Sequence, residues 1–153
     1  MDIQKKIKAD IERVGWSVVS VFSDGEEPGF SYTIGLSRTF SHPEIIVFGI
    51  PPEAAHGMCS SIVKNTLRKG GSAIPGPLYD NIADGYGIRF IRVDSAFRDQ
   101  RMLLLKLCYD DPRKVLALQM VWPDPDNKFP WEAGFDHRYD LAQPLLGKVP
   151  LVQ

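Results

Sequence analysis

His56 and Cys59 lie three residues apart, a spacing that puts two side chains on neighbouring turns of a helix and could present a pair of metal ligands. His42 or His137 would have to supply a third. Cys59 falls within an apolar helical stripe and His56 at its margin, so structural roles are the expectation and no metal is assigned. The same pair has no local carboxylate to orient the histidine, which argues against a nucleophile and its base. His137 stands beside Asp136 in turn-forming sequence, as a capped surface histidine would. Asp124, Glu132 and Asp136 are loop carboxylates that only the fold could bring together for acid–base work.

The two phosphate-cradling fingerprints are absent, which speaks against their own classes alone. Neither GxGxxG nor GxxxxGK[ST] occurs, and Gly85-Tyr86-Gly87 precedes a strand rather than a helix. Asp124-Pro125-Asp126-Asn127-Lys128 starts like a calcium loop, but lysine at the fifth position and the missing glycine defeat the match.

A more promising combination is a strand with a slim face and a late loop rich in aromatics. Phe30, Tyr32, Ile34 and Leu36 alternate with Ser31, Thr33 and Gly35, the period of a strand with one bulky and one small side. Small residues leave room for close approach by a helix or a ligand. The stretch WPDPDNKFPWEAGF threads Trp122, Phe129, Trp131 and Phe135 through Pro, Asp and Asn, and such aromatics either pin a loop to the body or wall a pocket. Gln119 interrupts an otherwise apolar strand, where a buried amide must find partners. The candidate ligand-binding set is therefore Tyr32, Thr33, His42, Gln119, Trp122, Asp124 and Trp131.

The elements that must position these residues are legible from periodicity. Ile3, Ile7, Ile11 and Val14 form an amphipathic helix stripe ended by Gly15. Trp16–Phe22 and Phe30–Leu36 read as strands, Ser37–His42 as a polar loop, and Ile45–Ile50 as an interior strand apolar on both faces. Pro51-Pro52 opens a helix running to about Lys69. Residues 70–87 carry five glycines without clear period, a length that suggests a lid or a plain excursion. Ile88–Val93 reads as an edge or bulged strand, Ala96–Tyr109 as helix-like, and Val115–Trp122 as a second interior strand.

The 153 residues, 44% hydrophobic and 24% charged with a net charge of −1, describe one ordinary globular domain, 1–153, large enough for a full core. That charge gives no bulk attraction to nucleic acid or to an anionic membrane. No apolar run approaches a membrane span, no signal-peptide pattern follows Lys5, Lys6 and Lys8, and two cysteines in apolar helical surroundings suit a reducing compartment. The expected location is cytoplasmic.

The segments Tyr32–Leu36 (YTIGL), His42–Pro51 (HPEIIVFGIP), Leu118–Trp131 (LQMVWPDPDNKFPW) and Gln143–Gly147 (QPLLG) together resemble an uncharacterised bacterial family, domain-of-unknown-function family 4262. The likeness runs from about Trp16 to Gly147 and implies no activity. A fainter likeness, at the level of fold, is to flavin-reductase-type split barrels, which would imply FMN as cofactor. No flavin-contacting signature aligns.

The expected fold is α+β: a mostly antiparallel five- or six-stranded sheet, curved or barrel-like, with two main helices and an N-terminal amphipathic helix. The leading functional expectation is a small-ligand-binding module, its pocket lying between the slim face of Phe30–Leu36 and the loop Trp122–Trp131. The alternatives are an FMN-dependent oxidoreductase and a partner-binding immunity or accessory protein, the latter requiring a contiguous exposed apolar patch.

Overall fold

A computed structural model describes residues 2–150. Helix α1, Ile3–Val14, starts where the Asp2 side chain accepts from the Gln4 amide at 2.9 Å, and stops at Gly15 with φ 91°. Its stripe buries Ile7 fully. The other helices are α2 (Leu36–Phe40), α3 (Pro52–Asn65) and α4 (Ser95–Arg101). The strands are β1 (Ser17–Val21), β2 (Phe30–Ile34), β3 (Glu44–Phe48), β4 (Arg89–Arg92) and β5 (Ala117–Val121).

The strands form one sheet in the order β1-β2-β3-β5-β4. The β3–β5 pair is parallel and the remaining pairs are antiparallel. A parallel pair needs a long crossover, and here α3, β4 and α4 all lie between its two strands. β3 and β5 occupy the interior and are buried along their whole length, which is why both read as apolar on both parities.

α3 packs over one face, burying Met58, Cys59, Ile62 and Val63 against Ile45, Val47, Leu118, Met120 and Phe90. The opposite face, with Tyr32, Ile46 and Phe48, is covered by Ile7 of α1 and by Met102 and Leu105. Among the described residues no helix is long and apolar enough to cross a membrane.

Four expectations change. The sheet is open, because β1 and β4 lie at its two ends instead of pairing, so the barrel-like description does not hold. β2 ends at Ile34 rather than Leu36: Gly35 turns the chain at φ 113°, and a Cβ there would lie 2.6 Å from the Gly15 carbonyl oxygen. The chain after it, read as the polar loop Ser37–His42, is the short helix α2. The helix-like run to Tyr109 breaks at Met102 (ψ 57°), beyond which Leu103–Leu107 is a 3-10 turn. Ile88–Val93 does form an edge strand, and Pro52 does open α3.

Candidate functional site

The seven candidate residues do not surround one space. β3 stands between β2 and β5, so the slim face of β2 is two strands away from the chain at Trp122. Tyr32 points into the core on the far face, its hydroxyl accepting from Leu104 N–H at 3.1 Å. Thr33 fills the gap where β2 and β3 part, accepting from Ile45 N–H at 2.9 Å and donating to Glu44 at 2.8 Å.

His42 is buried as a latch. One ring nitrogen donates to the Pro43 carbonyl at 2.8 Å, and the other accepts from Ala73 N–H at 3.0 Å, which fixes the start of the long irregular segment. Gln119 straps the C-terminal chain to β5: its amide donates to Pro144 O and its oxygen accepts from Leu146 N–H, both at 2.8 Å. Trp122 is held by its own indole N–H, which donates to Phe48 O at 2.8 Å. The Gln143 amide pairs with both backbone groups of Trp122 at 2.9 Å. Trp131 stacks on Phe129 at 5.5 Å against Ile91 and Val121, in a small core of its own. In five of these residues the polar side-chain atoms are engaged by the chain itself, and in Trp131 the ring is.

Asp124 differs. Its carboxylate gathers the loop that follows β5, accepting from the N–H groups of Asp126 and Lys128 at 2.9 Å and of Asp136 at 2.8 Å. Desolvation pushes this carboxyl up, but the amides of Lys128, Asp136 and Asp126 outweigh it and hold its pKa below the usual 3.8. Asp124 also lines a surface cleft.

That cleft, about 260 Å³, runs between Gly85-Tyr86 and the turn Pro123–Asn127, with Tyr139 at its side. Tyr139 is seated edge-on to Trp122, ring centres 6.0 Å apart. A second cleft of about 430 Å³ lies along α3, bounded by Ala54, Gly57, Met58 and Ser61 on the helix and by 82–84 and Tyr86 opposite. Tyr86 is the wall common to both, half-buried, with burial pushing its phenol up. The irregular segment, tied down by His42, thus supplies one side of each cleft; α3 supplies the other side of the larger and the chain after β5 that of the smaller.

Sequence reasoning passed over two features. Glu44 opens β3 fully buried, and its carboxylate accepts from Thr33 Oγ1 at 2.8 Å, Gly35 N–H at 2.9 Å and Leu36 N–H at 3.0 Å, and also from the Tyr109 hydroxyl. Desolvation dominates and raises its pKa, although every one of these donors works to lower it. Burial and the Glu44 charge together raise the Tyr109 phenol. A signal existed: a lone acid at the head of an entirely apolar strand has to be paired. The second feature is Gly57, in mid-helix, with nothing within 4 Å of where its Cβ would be.

The histidine–cysteine pair separates. Cys59 is buried in the core, where desolvation and the nearby Glu44 charge lift its thiol to about 12, so it stays protonated and unreactive. His56 is exposed and stacks on Trp16 at 5.8 Å. His137 takes Asp140 as its partner at 3.0 Å, while Asp136 pairs with Arg138.

Comparison with known proteins returned one match: the family model described as "Domain of unknown function (DUF4262)" covers residues 10–136. No curated protein and no solved structure matches the chain.

Proposed function

The chain belongs to the family of domain of unknown function 4262, and from that premise we propose that it is a small-ligand-binding module whose site is the bent cleft on either side of Tyr86. Gly57 carries the reading. Glycine inside a helix costs about 0.5–1 kcal/mol relative to alanine. Such a cost is ordinarily offset by a close contact that only glycine permits. Here a methyl group would touch nothing, so the fold gains nothing from its absence. What the glycine keeps is open volume along α3, facing Tyr86.

Supporting observations agree with that. Each cleft is modest, about 430 and 260 Å³, and their common wall makes the pair comparable to an ordinary small-molecule site. They open near the carboxyl ends of the parallel strands β3 and β5, the end at which ligands gather in sheets with parallel strands. Asp124 lines the site directly, while Trp122 and His42 hold its walls. The closed sheet that a flavin-reductase likeness calls for is not formed.

The test is Gly57→Leu, which fills the cleft from an exposed helix position with a residue of good helix propensity. A panel of amines, amino acids, nucleosides, aromatic acids and flavins is screened by thermal shift against both proteins. The expected result is at least one compound that raises the melting temperature of the native protein and not that of Gly57→Leu, with the unliganded variant at least as stable as the parent. A panel without hits, or hits that survive the substitution, overturns the proposal.

A further inference from the structure

We infer that the ligand of the Tyr86 cleft is a small organic cation, an amine or quaternary ammonium on an apolar body; this rests on the ligand-binding reading above. The residues lining the two clefts include Asp84 and Asp124, near which Asp80 and Asp126 lie in the sequence, and include no lysine, arginine or histidine. The helical wall, Ala54, Gly57, Met58 and Ser61, is uncharged. None of the ion pairs among the described residues involves any of those four aspartates. The charged groups that line the clefts are thus all negative in a chain whose net charge is only −1, and a cleft focuses such a field.

Two phenol rings, Tyr86 and Tyr139, stand in the same walls. Ring faces attract ammonium groups, and quaternary ammonium recognition is built from them. A bare metal ion suits the site poorly. The Asp124 carboxylate already accepts three N–H groups at 2.8–2.9 Å and has little left to coordinate with. Among the described residues no cluster of three metal-binding side chains occurs. An anion, the phosphate of FMN included, would meet carboxylates with no countercharge in the walls. The occupant that satisfies both the charge and the rings is a positive head on an apolar body.

Three probes of one shape separate charge from fit: benzyltrimethylammonium, benzyl alcohol and phenylacetate, titrated by calorimetry at millimolar concentration and low salt. The cation is expected to bind about tenfold more tightly than phenylacetate, as one favourable ion–ring or ion–carboxylate contact gives. Asp84→Asn, an exposed and unpaired position, is expected to weaken the cation about fivefold and to leave benzyl alcohol unchanged. Gly57→Leu abolishes binding. If phenylacetate or benzyl alcohol binds as well as the cation and is lost in Gly57→Leu, the cation inference falls while the site stands. If no probe binds, both fall.

Discussion

The two ends of the parallel β3–β5 pair each hold a carboxylate out of water, and they hold it differently. At the amino end Glu44 is sealed among Thr33, Gly35, Leu36 and Tyr109, and desolvation wins, raising its pKa. At the carboxyl end Asp124 sits under a loop that aims three amides at it, and the amides win, lowering its pKa. Little of either side chain is exposed, but Glu44 lies deep in the core while Asp124 sits near the surface, so Asp124 is the less desolvated of the two. What differs is the surroundings: apolar core on one side, a turn of oriented backbone beside an open cleft on the other. One end is finished as structure, and the other retains unfilled space beside it.

The strongest challenge to this contrast is Glu44→Ala. It strands two backbone amides and two hydroxyls in the interior, and at ~1 kcal/mol or more for each orphaned donor the loss is roughly 3 kcal/mol or more. Urea unfolding measures it, and a loss under about 1 kcal/mol would show that the amino end is not sealed as described.

A second, smaller effect sharpens the comparison through pH. Glu44, with its folded pKa raised, contributes stability that is complete below 4.5 and is lost as pH rises through the folded value. Asp124, with its folded pKa lowered, contributes stability present above 3.8 and lost as pH falls through the folded value. Unfolding midpoints against pH are expected to flatten on the rising-pH limb in Glu44→Gln and on the acid limb in Asp124→Asn. Both variants altering the same limb would erase the distinction.

The smallest effect is a gain. Gly57→Ala is expected to stabilise the protein by about 0.5–1 kcal/mol, because α3 gains helix propensity without a clash. A loss instead would mean that the open end is packed as tightly as the sealed one.

Much of the architecture follows from local pattern. β3 and β5 announce themselves as strands covered on both sides, and Gly15 and Pro52 mark helix boundaries because their backbone constraints are local. What stayed hidden was non-local. Gly35 reads as one more small residue of a strand until the Gly15 carbonyl is seen against it. Gln119 declares a need for partners but cannot say that Pro144 and Leu146 meet it. Asp124 was legible as a loop carboxylate near aromatics, and it does line the cleft. Tyr86 and Gly57 were not, for neither belongs to a pattern: one lies in aperiodic sequence, the other interrupts the solvent side of a helix where few residues are constrained.

The strand order also bears on how the chain is made. β5 slots between β3 and β4 although it leaves the ribosome after both, so the middle of the sheet is assembled last. Until Ala117–Val121 emerges, the apolar flank of β3 has no neighbour beyond β2, and pairing so distant in sequence is slow to form. Nascent chains stopped short of that point would present Ile45–Phe48 as an unprotected edge, the kind of surface that chaperones cover and aggregates grow from.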